Sequence, residues 1–191
     1  EDAMPADLGA AYRAERGTFA ETGSPCLPDG LNLGAQLFRL EALDPALAHG
    51  TRILPWAQYW SWLLSGVAAS EATSLGCHTD LWNPRRKSFS SLVERLGIET
   101  LMAPVRSAFD VLGTIRPSLA QETGLSPHMP VYCGIHDSNA SLLPHLLRRD
   151  GDFSVVSTGT WVVNFAIGGT ADTLDPARDT LLNVDALGRP V

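Results

Sequence analysis

Two groups of residues in this chain have the types and spacing to serve opposite ends of one reaction. Asp137, preceded by His136, closes the apolar run at residues 131–135. A carboxylate at that point can take a proton from an attacking hydroxyl if it is held within hydrogen-bond reach. Further on, Ser157, Thr158, Gly159 and Thr160 join two β-rich runs, 153–156 and 161–167. A tight tip of that composition offers N–H groups and hydroxyls to an anion. The glycine lets backbone approach a phosphate closely, and Thr160 adds both an N–H and a hydroxyl. A base followed by a phosphate-sized cradle is the equipment for phosphoryl transfer to a hydroxyl.

The elements that must position these groups are legible in outline. The run 131–135 is short, apolar and bounded by Pro130 and a polar turn, the pattern of a buried strand. From Ser138 the residues Leu142, Leu143, Leu146 and Leu147 recur at helical spacing. Arg148 and Arg149 suit the negative end of that helix before Asp150 and Gly151. Asp137 is thus expected where the carboxyl edge of a sheet meets a helix start, the place where open α/β sheets bind ligands. Pro144 inside the helix removes one backbone bond and predicts a kink or early end. Trp161 is expected to begin an alternating strand and to face a core, with an adenine platform as the alternative.

Composition narrows the function classes. The chain has 191 residues, 45% of them hydrophobic, a net charge of −7 and one lysine, Lys87. It can bury a sizeable core, and it lacks the clustered cations of a nucleic-acid surface. Cys26, Cys77 and Cys133 are odd in number and irregularly spaced, which fits reduced thiols in a cytoplasmic protein. No metal-ligand spacing emerges: His136 with Cys133 is half a site without a second half. No apolar run reaches the length of a membrane helix. The chain opens on Glu1 and ends shortly after Gly188, Arg189 and Pro190, and the expectation is an internal piece of a longer polypeptide.

The remaining elements run in chain order. Residues 8–16 have modest helical character, 24–32 read as a Pro/Gly loop, and Leu33, Leu37 and Leu40 mark a helix ending near Asp44 and Pro45. Pro55 suits the first position of a helix in which Trp56, Tyr59, Trp60, Leu63 and Leu64 share one face. That stripe reads as a core-facing seam, with a sugar-stacking platform as the alternative. His78 and Asp80 would share a strand face, either as a structural hydrogen-bonded pair or as an acid/base pair. Ser91 with Glu94 suggests a capping box, residues 109–115 an extended run, and Pro117 to Gly124 a short helix.

GIHDSNAS followed by STGTW resembles the FGGY family of carbohydrate kinases, nearest its rhamnulokinase and fuculokinase branch. PWAQYWSWLLSG is similar to a family helix ending Leu, Thr, Gly, with Ser65 in place of the threonine. EATSLGCHTDLWNPRRKSFSSLVERLGI, VLGTIRPSLAQETGL and GLNLGAQL resemble further family segments in the same order.

The resemblance implies a partial α/β chain of the two-domain, actin and hexokinase-like (ribonuclease H-like) architecture. Residues 1–150 would be the later part of the amino-terminal, sugar-binding domain and 151–191 the start of the nucleotide-binding domain. It implies Asp137 as general base, His136, Asn32 and Gln36 as sugar contacts, Gly159 and Thr160 on the nucleotide, and ATP with Mg²⁺ as cofactors. Its partners would be a sugar and ATP, and homodimerisation stays open. A rhamnulose- or fuculose-like sugar is favoured by the His, Asp turn. The chain lacks the family's amino-terminal phosphate loop and carboxyl-terminal adenosine motif, so it is not expected to catalyse transfer alone. LPDGLN also carries extra residues at the sugar end. The rivals are a non-catalytic sugar-binding or regulatory module on the same fold and a hydrolase using Asp137 with His136.

Overall fold

The computed structural model describes residues 4–44, 52–159, 161–170 and 174–191. Its elements, in order, are α1 (Ala6–Glu15), α2 (Phe19–Thr22), α3 (Leu33–Leu43), α4 (Trp56–Ser65), β1 (Ser70–Glu71), α5 (Ala72–Gly76), β2 (Trp82–Asn83), β3 (Ser88–Phe89) and α6 (Ser91–Arg95). They continue with β4 (Val105–Arg106), β5 (Val111–Thr114), α7 (Pro117–Thr123), β6 (Pro130–Tyr132), α8 (Asp137–Leu146), β7 (Phe153–Thr158) and β8 (Val162–Ile167). Among the described residues the strands pair two by two: β1 with β4 in parallel, and β2 with β3, β5 with β6 and β7 with β8 antiparallel. No helix among them is long and apolar enough to cross a membrane.

The principal core gathers Tyr12, Ala35, Leu75, Leu81, Trp82, Leu92, Val93 and Met102 from α1, α3, α5, β2, α6 and their loops. A second cluster joins Leu142 and Leu146 of α8 to Phe165 of β8, with Phe153 and Val155 packed on it. Two of the four leucines that mark α8 in the sequence, Leu142 and Leu146, seat it on the hairpin, whereas Leu147 is exposed just past its end. Pro144 lies within the helix without ending it.

Three local expectations are corrected. The aromatic stripe of α4 faces outward: Trp56 is 73% exposed and Trp60 47%. Its rings pack on one another, Trp56 stacking on Tyr59 at 5.7 Å and meeting Trp60 edge-on at 5.6 Å. The buried face of α4 is polar instead. Gln58 and Ser61 on that face donate to the Cys133 carbonyl at 3.3 and 2.8 Å, and Gln58 also to that of Gly134 at 3.3 Å. α6 is not closed by its own capping box, because Glu21 of α2 accepts from the Ser91 N–H at 2.6 Å and from its hydroxyl at 2.8 Å.

The third correction concerns His78 and Asp80, which lie on a loop and not a strand, both in left-handed backbone with φ of +54° and +62°. Such angles are costly for residues with a Cβ and persist where surroundings over-determine them. Here Arg16 donates to both oxygens of Asp80, Nε at 2.9 Å and Nη2 at 2.7 Å, and the Tyr12 hydroxyl donates to Oδ2. Gly34 comes close on the other side: a Cβ there would meet the Thr79 carbonyl at 2.8 Å and Leu92 at 2.7 Å. Burial, with Asp80 beside it, pushes the Tyr12 hydroxyl far above its ordinary pKa. Asp80 is thus an anchor for the loop and α1, not half of an acid/base pair.

Asp80 is wholly buried and Arg16 nearly so, and removing one partner leaves the other charge dry and uncompensated. Arg16→Met is expected to lower stability by about 3–5 kcal/mol, read as a fall in the urea midpoint at unchanged slope; a shift worth less than about 1 kcal/mol would show that the pair is solvent-screened.

Candidate functional site

β6 delivers the chain to a turn, 133–136, that enters α8 directly. Gly134 takes φ +86°, and a Cβ there would press within 3.3 Å of the Ser61 hydroxyl. The carbonyls of Cys133 and Gly134 are taken up by Gln58 and Ser61 of α4. The His136 N–H donates to Thr73 Oγ1 of α5 at 3.1 Å. His136 is the N-cap of α8 without capping through its side chain. The turn is therefore held through its backbone groups on both sides, with the Cys133 side chain buried and that of His136 partly so.

Asp137 is the first residue of α8, where a negative charge meets the positive end of the helix dipole. Its side chain is 92% exposed. Oδ1 accepts from the Ser138 N–H at 2.6 Å, and Oδ2 carries no hydrogen bond among the described residues. The His136 ring stands beside it, Nδ1 3.2 Å from Oδ1 but unaligned for a hydrogen bond. Burial lowers the His136 pKa, the neighbouring Asp137 offsetting part of that, so its ring is neutral at pH 7 and can donate or accept. Burial likewise lowers His78, with Asp179, His136 and Asp80 as smaller influences. Burial, then Asp137, pushes the Cys77 thiol up to about 12, which makes it a poor nucleophile.

The hairpin tip lies at the same end of α8 as Asp137. α8 packs on β7, and the short link from Leu147 to Asp152 makes the two run in opposite directions, so the start of the helix meets the end of the strand. The Ser141 hydroxyl bonds that of Ser157 at 3.1 Å. Asp137 is one helical turn before Ser141, about 6 Å along the axis, and Gly159 two residues past Ser157, about 7 Å along the strand.

At the tip, the Gly159 N–H donates to the Trp161 carbonyl at 3.1 Å. Ser157 and Thr158 belong to β7, so the tip is shorter than the sequence pattern implies. Thr160, the other nucleotide candidate, lies outside the described residues, as does Pro45. Trp161 is 60% exposed at the tip and not in the core.

Asn32 and Gln36 sit elsewhere, at the start of α3. Asn32 is fully buried; its amide donates to Ser24 Oγ at 3.2 Å and the Pro25 carbonyl at 3.0 Å and accepts from the Leu27 N–H at 2.9 Å. Gln36 donates to the Gly30 carbonyl at 2.6 Å. No hydrogen bond joins either to the Asp137 turn among the described residues. A cleft of about 350 Å³ lined by Glu21, Asn83, Arg86 and Ser91 also lies away from that turn. No group of three or more His, Cys, Asp or Glu side chains among the described residues gathers to hold a metal ion.

Sequence reasoning passed over Thr73, Gln58 and Ser61, which grip the turn. A signal existed for two of them: Gln58 and Ser61 are i, i+3 on the helix face opposite the aromatic stripe. It passed over Asn139 as well, buried on the Leu142 face of α8 with neither end of its amide bonded.

Residues 150–191 match the family model for the carbohydrate kinase FGGY C-terminal domain. No curated protein matches the chain at a significant level. Among solved structures, a carbohydrate kinase from Novosphingobium aromaticivorans is 48% identical with a TM-score of 0.91, over 99% of this chain and 43% of its own. Xylulose kinase from Rhodospirillum rubrum is similar in fold, with a TM-score of 0.68 at 21% identity over 95% of this chain and 37% of its own. Ligand-bound xylulose kinase from Lactobacillus acidophilus has a TM-score of 0.59 at 14% identity over 72% of this chain and 28% of its own. The chain thus spans less than half the length of each. Its fold is that of part of a two-domain α/β sugar kinase of the actin and hexokinase-like type, as the motifs led one to expect.

The lowered pKa values of His78 and His136 set a pH dependence. Each folded pKa lies below the unfolded value of about 6.5, so the native state binds fewer protons and stability falls as pH drops below that value. The buried Glu71, with its pKa raised by desolvation, works in the opposite sense at lower pH. His78→Asn, chosen because asparagine tolerates positive φ, is expected to lose less stability than the wild type between pH 7 and 5.5 in urea titrations; parallel losses would place the titration elsewhere.

Proposed function

We propose that this chain is part of a carbohydrate kinase that moves the γ-phosphoryl group of ATP to a hydroxyl of a ketose or deoxyketose. Residues 1–150 supply the later part of its sugar-binding domain and 151–191 the start of its nucleotide-binding domain. The observation that carries the reading is the placement of an exposed carboxylate, Asp137, at the same end of α8 as the Gly159 tip. The family match over the hairpin and the segment after it supports the nucleotide side.

In this reading the sugar hydroxyl attacks the γ-phosphorus as its proton passes to Asp137 Oδ2, the oxygen not engaged by the Ser138 N–H. The bond from phosphorus to the β,γ-bridging oxygen breaks, and ADP leaves. The transition state spreads charge over the phosphoryl oxygens, so positioning and N–H donors do most of the work. Gly159, whose own N–H is held by the Trp161 carbonyl, lets the backbone of the tip approach the phosphate closely, and Thr160 is the residue that would supply an N–H and a hydroxyl. Neutral His136 orients a sugar hydroxyl next to the base. Gln36 keeps its carbonyl oxygen for a sugar contact, whereas Asn32 would have to give up its loop bonds to make one. ATP, with Mg²⁺ as the resemblance implies, would supply the activated phosphoryl group. The resemblance of the His136–Asp137 turn makes rhamnulose- or fuculose-like sugars the expected acceptors.

Asp137→Asn in the intact polypeptide is expected to lower sugar-dependent ADP release by about 10²- to 10⁴-fold with nucleotide affinity preserved. A coupled assay across L-rhamnulose, L-fuculose, D-xylulose and D-ribulose measures both base and preference. Unchanged turnover in the variant removes Asp137 as the base, and no sugar-dependent release in the wild type favours a binding module.

A further inference from the structure

We infer that Thr73 is a positioning residue for the proposed base, fixing the Asp137 turn through a hydroxyl whose direction is set by buried Glu71. The inference rests on the reading of Asp137 as the base. Glu71 is 3% exposed and has no cation at ion-pair distance among the described residues. Its carboxylate instead takes three donors: the Thr73 N–H at 3.0 Å, the Ser74 N–H at 3.1 Å and the Thr73 hydroxyl at 2.5 Å. The first two cap α5, satisfying orphan donors of its first turn.

The third decides the geometry. A threonine hydroxyl has one proton and two lone pairs. With the proton committed to Glu71, only a lone pair is left to face outward, and the His136 N–H, 63 residues along the chain, donates to it at 3.1 Å. An N-cap N–H has no partner inside its own helix, so this bond fixes where α8 begins, and Asp137 is the next residue. Thr73 also holds the segment after the hairpin: its carbonyl accepts from Asn183 Nδ2 at 3.2 Å. Gly76 keeps that approach open, since a Cβ there would lie 2.0 Å from Asn183 Oδ1. One residue therefore ties the base turn to the stretch beyond the Gly159 tip.

The test uses the intact polypeptide with the ketose that turns over fastest among L-rhamnulose, L-fuculose, D-xylulose and D-ribulose. Thr73→Val keeps the shape and removes the hydroxyl; Thr73→Ser restores it. Thr73→Val is expected to lower kcat by on the order of 10²-fold, the scale of an ångström-sized misplacement, with sugar KM and nucleotide affinity within about threefold. Thr73→Ser is expected to recover most of the loss. Hydrogen exchange of peptides covering 131–142 should quicken in Thr73→Val and not in Thr73→Ser. If Thr73→Val does not fold, Thr73→Ala carries the same expectation, because it removes the hydroxyl without setting a methyl group against the Glu71 carboxylate. Wild-type kcat in the variant, or equal losses for valine and serine, overturns the inference. Full turnover in Asp137→Asn overturns the base reading, and the role of Thr73 with it; a dead Asp137→Asn beside an active Thr73→Val overturns the role of Thr73 alone.

Discussion

A buried backbone group must find a partner or cost about 1–3 kcal/mol; in the turn between β6 and α8 the Cys133 and Gly134 N–H groups donate to the Asp110 and Ala108 carbonyls, and three further groups are met by side chains. The carbonyls of Cys133 and Gly134 and the N–H of His136 are bound by Ser61, Gln58 and Thr73. None of these partners is near the turn in sequence. They come from α4 and α5, and the demand of the turn explains why both helices are oriented as they are. The exposed carboxylate of Asp137 follows from that arrangement: the backbone of the turn before it is held by α4 and α5, and its own side chain faces solvent.

The same demand accounts for the reversal of α4. A stripe of Trp56, Tyr59, Trp60 and Leu64 ordinarily seeks a core. Here the opposite face carries the hydrogen-bonding groups that the turn requires, and those groups are buried. The aromatic rings recover part of the lost burial by packing against one another, in the stacked and edge-on geometries that ring quadrupoles favour. The anchor at Asp80 shows the same priority. Two residues accept left-handed backbone because Arg16 and Tyr12 complete a buried carboxylate there, and the loop they shape lies against the start of α3 through Gly34.

Much was legible in the sequence. The helices α3, α4, α7 and α8 fall where the sequence puts them, because an apolar period in α3, α4 and α8 and a glycine stop in α4 and α7 are local signals. The β7–β8 hairpin is found by its alternating runs. The strand before Asp137 is shorter than its apolar run suggests, since Cys133 and Gly134 give their carbonyls to α4 and not to a ladder. The cap of α6 came from Glu21, 70 residues away, while Ser91 and Glu94 offered a plausible local answer that the tertiary structure did not use.

By itself the sequence determined which chemistry is on offer: an acid at a helix start, a glycine-bearing tip after it, and the order of motifs that links them to sugar kinases. Only the tertiary structure decided which faces are buried and which distant side chains serve the turn. Periodicity records how apolar one face is relative to another, whereas the partner of a buried N–H or carbonyl is chosen by whatever the fold brings within about 3 Å. Thr73 and His136 are separated by 63 residues of chain, and nothing in the local pattern of either announces the other.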